Sequence, residues 1–376
     1  MTNANLPKYE QILTDMTERI QSGNLTPGDR VPTERELIAH YQVSRITVVK
    51  ALTELTLSGY IHRVQGKGSF VNPFEQHLAP SSRKHPQPGR SAQGVPQRVG
   101  LLIPEHADYH SGSIIRGVTD TLRYPQHFVQ LVITNACGLE EYALKQCDKG
   151  DYAGVILFPV DCEFYSDIIL RMCLNKFPLV LLDRSFPGIQ SNTVRVDNEE
   201  GGRLAIEHLL GLGHQHISFL ADASFKEQVT RKRYDAYITA MAEHRLPVHA
   251  IEHFNRQKVA EQDVTKFMQF IRQDGGTAVV ASNSHAAELV MELCLDHGIR
   301  VPEDLSIVCF DQPSPIPDAK APQITYVEQN SCEMGRRAAQ LLSEAMDPDK
   351  EHTYRDVVLT PQLVVRHSTA GPHPRG

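Results

Sequence analysis

Several polar and cationic side chains near the N-terminus could contact a nucleic acid. Ser44, Arg45 and Thr47 begin a segment whose apolar residues recur every three or four positions, as on one face of a helix. A helix N-terminus presents free backbone N–H groups, and a guanidinium donates to phosphate oxygens or to the edge of a guanine. Arg35 precedes this segment and Lys50 lies within it. We therefore predict DNA contacts here, with Arg45 as the main donor.

A glycine-bounded turn follows that segment. Gly66, Lys67 and Gly68 lie between two short alternating stretches, which predicts the tip of a two-stranded hairpin. Glycines let the backbone approach a groove closely, and the lysine adds a cation for phosphates. The hairpin tip is therefore predicted to supply a second set of DNA contacts.

The elements that would hold these side chains follow a known order. Thr33 and Glu36 have the spacing of a helix capping box, and Ser44 can cap the next helix. Residues 41–43 would form the turn between the two helices, ahead of the hairpin. This order is that of a winged helix-turn-helix, which usually places its second helix in the DNA major groove.

These positions resemble the DNA-binding signature of the GntR family over residues 6–72. The matching positions include Gly28, Pro32 to Leu37, Val43 to Arg45, Thr47-Val48, Ala51-Leu52, Leu55, Gly59, Gly66, Gly68 and Phe70-Val71. The resemblance assigns DNA contacts to Arg35, Ser44, Arg45, Thr47 and Gly66 to Gly68. The family usually has arginine where this chain has Val49, followed by Lys50, so the operator sequence stays open.

Charge is unevenly distributed along the 376 residues, a length sufficient for two or three domains. Residues 1–96 carry 11 basic and 8 acidic side chains, a net charge of +3. The remaining residues carry a net charge of −10, so the whole chain has a net charge of −7. Because this excess of positive charge is small, we expect weak nonspecific DNA binding that depends on placed contacts and on a homodimer.

The cysteine and histidine patterns point away from disulfide and metal chemistry. Seven scattered cysteines without a C-x-x-C pair predict reduced thiols in a cytoplasmic protein. The densest histidine group (His208, His214 and His216) lacks metal-ligand spacing, so no metal is expected. The N-terminus is polar, without a signal peptide, and no apolar run approaches the length of a membrane span.

No pattern of catalytic residues is found, so we do not expect an enzyme. The chain lacks G-x-S-x-G, and no glycine-rich dinucleotide fingerprint follows the apolar run Val99 to Ile103. An enzyme fused to a DNA-binding domain would also need a cofactor-binding lysine and a longer body. No cofactor is therefore predicted.

The rest of the chain predicts a linker and a doubly wound region. Prolines among polar residues mark 73–97 as a linker between the DNA-binding domain, 1–72, and an effector and dimerisation domain, 98–368, with a tail at 369–376. Apolar runs alternate with helical segments in two successive sets, which predicts two α/β subdomains with parallel sheets. We expect the subdomains to comprise 98–195 plus 313–345 and 196–312 plus 346–368. Ligands in such sheets gather at the carboxyl ends of the strands.

The second region resembles the effector domain of LacI-type regulators, which is related to periplasmic sugar-binding proteins. The resemblance rests on Val196-Asp197-Asn198, Gly201-Gly202, Gly213-His214, Arg233 with Tyr237, Val301 to Ser306 and Phe310-Asp311. It implies a winged helix-turn-helix joined to a two-subdomain periplasmic-binding-protein-like domain, as in arabinose-responsive repressors. The effector site that we expect from this resemblance comprises Arg233, Asn283, Asp311, Gln329, Arg184 or its neighbour Asp183, and, in the first strand-end loop, His106.

Together these patterns predict a transcriptional repressor of carbohydrate-utilisation genes. Its partners would be double-stranded, palindromic operator DNA, a small sugar with a pentose such as arabinose favoured, and a second copy of the chain. The family usually has aspartate where this chain has Ser284, which leaves the ligand open. The alternatives are the same architecture sensing a nucleoside or a phosphorylated sugar, or acting as an activator.

Overall fold

The structure is a computed structural model. It describes residues 8–21, 24–26, 28–57, 60–64, 68–71, 96–104, 109–134, 136–149, 152–160, 166–186, 188–255, 259–314, 322–351 and 353–373. Contacts divide the chain into two compact units, one formed by Met1–Arg90, Tyr165–Asn175 and Pro187–Ile189 and the other by the remainder. No helix of the described residues is long and apolar enough to cross a membrane.

The N-terminal domain contains three helices and a hairpin. The elements are α1 (Lys8–Gln21), α2 (Glu34–Tyr41), α3 (Arg45–Leu57), β1 (Ile61–Val64) and β2 (Gly68–Val71). The strands pair antiparallel with Ile61 opposite Val71. Helix α1, which we had not predicted, adds Ile12 and Met16 to a core that includes Leu52. The order of elements confirms the predicted winged helix-turn-helix.

Local side-chain chemistry sets the limits of helices α2 and α3. The capping box is confirmed, since Glu36 N donates to Thr33 Oγ1 and the Glu36 carboxylate accepts from Thr33 N. Gln42 ends α2 with a left-handed φ of 51°. Ser44 caps α3 by accepting from Thr47 N at 3.3 Å. The turn between the helices is therefore fixed by hydrogen bonds over a few residues.

The second unit contains two sheets of six strands each. The first sheet consists of β3 (Gln97–Ile103), β4 (His127–Ile133), β5 (Tyr152–Leu157), β6 (Leu179–Leu182), β7 (Asn192–Val196) and β13 (Asp356–Leu359). The strands lie in the order β13-β7-β6-β5-β3-β4, with every pair parallel. The helices of this unit that alternate with them are α4 (Tyr109–Thr121), α5 (Cys137–Lys149) and, much later, α11 (Ser331–Met346). Helix α6 (Asp167–Leu174), between β5 and β6 in the sequence, belongs to the first unit.

The second sheet is covered by helices on both faces. Its strands are β8 (Ile217–Leu220), β9 (His249–Ile251), β10 (Ala278–Ala281), β11 (Ser306–Phe310), β12 (Thr325–Glu328) and β14 (Gln362–Val364), in the order β14-β12-β11-β10-β8-β9. Only β14 is antiparallel to its neighbour. Alternate residues of β10 pack towards α7 (Asn198–Gly211) and α8 (Gln228–Glu243) on one face, and towards α9 (Glu261–Arg272) and α10 (Ser284–Asp296) on the other.

The chain passes between the sheets at three places, and the expected subdomain boundaries differ from the structure at two of them. We had assigned β12 to the first subdomain, but it pairs with β11 in the second sheet. We had assigned β13 to the second subdomain, but it pairs with β7 in the first. The reason is that the chain crosses from β12 to α11 and again from β13 to β14, so each sheet receives strands from distant sequence.

The expectation that all seven cysteines are thiols is wrong at Cys137, which is disulfide-bonded. Among the described residues, Cys147, Cys173, Cys294, Cys309 and Cys332 are free. All of these except Cys332 are buried. Cys137 instead begins α5 beside a loop.

Candidate functional site

The predicted DNA-binding side chains of α2 and α3 lie on the exterior of the N-terminal domain. Arg35 and Ser44 are exposed. Arg45 is half-exposed, and its Nε donates to Glu34 Oε2 at 3.0 Å. This ion pair holds the guanidinium at the first turn of α3. Thr47 lies beside Ser44, with their hydroxyl oxygens 2.9 Å apart. The start of α3 thus presents a cation and two hydroxyls together.

The other residues predicted to contact DNA are Lys50 and the hairpin tip, Gly66 to Gly68. The Lys50 ammonium lies 3.5 Å from the centre of the Tyr9 ring on α1, a cation–π contact that ties it to the domain itself. Gly66 and Lys67 lie outside the described residues. Gly68 begins β2 with φ 113°, where a Cβ atom would be strained and would lie 3.0 Å from Arg30 Nε. That conformation requires glycine at the base of the wing.

In the second unit, Arg233 is the centre of a buried polar network. Its Nε donates to Asn198 Oδ1 at 2.8 Å, Nη1 to the Ser282 carbonyl oxygen at 2.7 Å and Nη2 to Gln329 Oε1 at 2.9 Å. The guanidinium also lies 3.9 Å from the centre of the Phe310 ring. Four elements of the second subdomain therefore fix one cation at the carboxyl end of its sheet.

Asp311 follows β11 and joins the same network. Gln329 Nε2 donates to both of its carboxylate oxygens, at 2.7 and 2.8 Å. Burial, the largest influence, acts to raise the pKa of Asp311, but His110, Arg233 and the Gln329 amide together lower it below its usual value. Asp311 is therefore held as a carboxylate, and Gln329 links it to Arg233.

His110 brings the first subdomain into contact with this network. It lies in the first turn of α4, is buried, and its Nδ1 is 2.7 Å from Ser331 Oγ and 3.3 Å from Asp311 Oδ1. The ring meets the edge of Phe158 at a centroid distance of 5.9 Å. The carboxyl ends of the two sheets are thus joined through one imidazole.

A second set of contacts joins the subdomains beside His110. Arg184, from the loop after β6, pairs with Glu227 at 3.0 Å. Glu227 caps α8, and although burial acts to raise its pKa, Arg184 and the N–H groups of α8 lower it. The next residue, Ser185, exchanges two backbone-to-side-chain hydrogen bonds with Gln228 at 3.3 and 3.2 Å. The cleft between the two sheets is therefore bridged directly.

Asp183 has an acceptor atom that no described residue satisfies. Asp183 follows β6, only 8% of it is exposed, and its Oδ1 is buried without a hydrogen-bond partner among the described residues. Burial raises the pKa of this carboxyl, against the attraction of His110, Arg233 and Arg184. Asp183 and Asp311 also have positive φ, 63° and 66°, which is uncommon outside glycine and is often found at functional sites.

The remaining predicted effector residues are not part of the Arg233 network. Asn283 caps α10 by accepting from Ala286 N at 2.9 Å, and its Nδ2 donates to Asp222 Oδ2 at 2.7 Å. Its amide is therefore occupied locally, next to Ser282. His106 lies outside the described residues. The structure thus brings together Arg233, Asp311 and Gln329. Arg184 lies near enough for its charge to act on Arg233.

Sequence reasoning did not select three members of the cluster, which are His110, Asn198 and Glu227. Asp183, which we had expected as an alternative to Arg184, directly follows the buried strand β6 at the edge where ligands bind. His110 and Glu227 carry no local signal, since their importance depends on contacts with another subdomain.

The arrangement suits the binding of a small polar molecule. Carboxylates accept from hydroxyl groups, guanidinium and amide groups donate to them, and a sugar hydroxyl does both. Among the described residues, no group of three or more histidine, cysteine, aspartate or glutamate side chains could hold a metal ion.

Fold and site define a class of protein, a winged-helix domain followed by a two-subdomain ligand-binding domain. Residues 8–71 match the gntR family of bacterial regulatory proteins, and residues 206–369 match the periplasmic binding protein-like domain. The chain combines a GntR-family DNA-binding domain with a LacI-type, periplasmic-binding-protein-like domain.

Two curated relatives are similar to this chain over nearly its whole length. An arabinose metabolism transcriptional repressor from Geobacillus stearothermophilus is 28% identical, covering 98% of this chain and 99% of that protein. A repressor of the same description from Halalkalibacterium halodurans is 27% identical over 96% of each chain. Among solved structures, a LacI family transcriptional regulator from Mycobacterium smegmatis has a TM-score of 0.62 and 26% identity, covering 73% of this chain and all of that one.

Proposed function

We propose that this protein is a transcriptional repressor of carbohydrate-utilisation genes that a small sugar releases from its operator. The observation that carries the proposal is the buried cluster around Arg233, to which the first sheet adds His110 and the buried Asp183, whose Oδ1 has no hydrogen-bond partner among the described residues. A sugar hydroxyl is a donor suited to that atom. The description of the two relatives as repressors of arabinose metabolism supports a pentose, with arabinose as the first candidate.

The charges of the cluster favour a neutral sugar over a phosphorylated one. Three carboxylates, Asp183, Asp311 and Glu227, face two guanidinium groups. Arg184 already pairs with Glu227, and Arg233 has three acceptors. A phosphate would meet more negative than positive charge here and would lose its hydration without a dedicated partner.

A nucleoside is also disfavoured by the aromatic side chains of the cluster. Stacking on a base needs an accessible ring face. The Arg233 guanidinium covers a face of Phe310, and the His110 ring packs edge to face with Phe158. The described residues of the cluster therefore offer polar groups that can bind a polyol, but little ring surface on which a base could stack.

Regulation would follow from differential affinity. An effector that binds more tightly when both subdomains contact it stabilises their closed arrangement, and the three crossings between the sheets act as the hinge. In a homodimer in the cytoplasm, this movement would change the spacing of two winged helices on a palindromic operator. Repression is lost when that spacing no longer matches.

The first experiment is a thermal-shift screen of pentoses, hexoses, nucleosides and sugar phosphates on the full-length protein. A ligand at about 100 times its Kd should stabilise the protein by about 2.7 kcal/mol. L-Arabinose is expected to give the largest shift. A shift only with a nucleoside or a sugar phosphate would contradict the proposed ligand class.

Two substitutions then separate DNA binding from ligand binding. Arg45→Ala should abolish operator binding in a gel-shift assay and leave the sugar-induced thermal shift intact. Arg233→Ala should keep operator binding but lose release by sugar, whereas Arg231→Ala, an exposed residue paired with Asp235 on the same helix, should change neither. Equal loss of both activities in Arg45→Ala would contradict the modular mechanism.

A further inference from the structure

His110 is the one histidine that joins the two subdomains within the described effector cluster. It comes from α4 in the first subdomain, whereas Asp311 follows β11 in the second, and the two side chains are 3.3 Å apart. Ser331, at the start of α11 just after a crossing between the sheets, holds the same Nδ1 at 2.7 Å. The imidazole therefore lies where opening the cleft would separate it from its carboxylate.

Among the described residues, the charged groups near the ring are Asp311 after β11, Asp183 after β6 and Arg233 from α8, while Ser331 and Phe158 are uncharged. The adjacent Arg184 pairs with Glu227, and its charge also acts on Glu140. With Asp183 ionised, the two carboxylates and one guanidinium nearest the ring sum to −1, a charge that an imidazolium at His110 would balance.

We propose that His110 is a positioning residue that couples closure of the effector cleft, and with it effector affinity, to uptake of one proton. This inference rests on the proposed function and extends it by adding a proton to the sugar as a determinant of closure. His110 acts through Asp311 and Ser331, whose positions it fixes across the cleft.

The direction of the effect follows from two opposing influences on the imidazole. Burial disfavours its charged form, whereas a carboxylate within about 4–6 Å favours that form by ~1–3 pKa units. We expect the carboxylate to prevail because Asp311, which is held ionised, is in direct contact with the ring. In the open cleft the ring loses this contact, so closure takes up a proton near neutral pH. Effector affinity should therefore rise as the pH falls from 8 to 6, by about 3- to 10-fold.

The test uses the full-length protein and isothermal titration calorimetry with L-arabinose between pH 6 and pH 8. Each titration is repeated in buffers of different ionisation enthalpy, which reports protons taken up on binding. The wild type should gain a fraction of a proton and bind more tightly at pH 6. His110→Asn keeps a hydrogen-bond donor near the place of Nδ1 but cannot be charged, so it should bind with no proton uptake and a flat pH profile.

Two control variants decide where the proton resides. His216→Gln changes an exposed histidine and should behave as the wild type. Asp183→Asn removes the cluster carboxyl whose pKa burial raises. If His110→Asn keeps the wild-type proton uptake and pH profile, the inference is wrong. If Asp183→Asn abolishes the uptake while His110→Asn retains it, the proton belongs to Asp183 and the inference is equally wrong.

A second measurement needs no effector and so separates this inference from the proposed function. The chain contains no tryptophan, and Phe158 packs against the His110 ring. In Phe158→Trp, the indole emission should fall as the pH is lowered from 8 to 6, because imidazolium quenches indole more strongly than imidazole. Adding His110→Asn should remove this titration. A titration that persists in the double variant would refute the role of His110 even if no sugar binds.

Discussion

At the scale of single residues, burial determines which carboxylates of the effector domain are poised to titrate. Glu140, in the first turn of α5, is only 3% exposed and accepts from Val160 N at 2.6 Å. Burial raises its pKa to about 7, against the lowering influence of the Val160 N–H and Arg184. An acid with a raised pKa in the folded state costs stability when it is ionised. That cost is absent below the unfolded pKa and grows as the pH rises towards 7.

Glu140→Gln should therefore stabilise the protein at alkaline pH. The amide keeps an acceptor for Val160 N and removes the buried charge. We expect a gain in the free energy of unfolding of about 1–3 kcal/mol at pH 8 and of less than about 1 kcal/mol at pH 5. Urea unfolding at the two pH values measures it. Glu141→Gln, next on the helix and paired with the half-exposed Lys145, should change little at either pH. A Glu140→Gln variant that is less stable at pH 8 would show that its charge is needed.

At the scale of elements, the contact between α4 and α11 depends on two glycines. A Cβ atom on Gly117 would lie 2.0 Å from the Cys332 carbonyl oxygen, and one on Gly335 would lie 2.2 Å from that of Ile114. The two helices therefore touch through their backbones. Because α11 begins directly after a crossing between the sheets and α4 carries His110, this contact fixes one side of the cleft.

Gly117→Ala should force the two helices apart. Its methyl group would meet backbone rather than a flexible side chain, and overpacking of this kind costs about 1–3 kcal/mol, occasionally more. Gly112→Ala is the matched control on the same helix, since no atom lies within 4 Å of its Cβ position. That control should be neutral or stabilising by up to about 1 kcal/mol. Chemical denaturation compares the two, and equal stabilities would contradict the close helix contact.

At the scale of the whole molecule, the N-terminal region and the rest of the chain carry net charges of opposite sign. The net +3 of residues 1–96 favours phosphates only weakly, whereas the remaining residues carry −10. DNA affinity should therefore come from a few placed cations, doubled by a second copy of the chain. Arg35, Arg45 and Lys67 in each of two copies would make about six phosphate contacts, and log K should fall with log salt with a slope of roughly −5.

Replacing one of these cations tests the number of copies on DNA. Arg35→Ala should lower the magnitude of the salt slope by about 2 if two heads bind together and by about 1 if a single head binds. Gel-shift titrations of the operator over a range of salt concentrations give the slope. Arg300→Ala, in the second subdomain and paired with Asp304, should leave it unchanged. We expect a change of about 2 for a homodimer.

The sequence by itself determined the features that depend on neighbours a few positions apart. The capping box of Thr33 and Glu36, the short turn before α3 and the buried strands all follow from local hydrogen bonds and from the periods of helix and strand. The position of Asp311 after a buried strand also placed it at the edge of a sheet where ligands bind.

Only the tertiary structure decided which distant residues meet. Strands β12 and β13 belong to different sheets from those their sequence neighbours suggested, because pairing depends on the partner strand and not on local pattern. His110 gave no sign in the sequence, yet it contacts Asp311 and Ser331 across the cleft. Such contacts gain their strength from burial and low dielectric, which exist only once both sheets have formed around them.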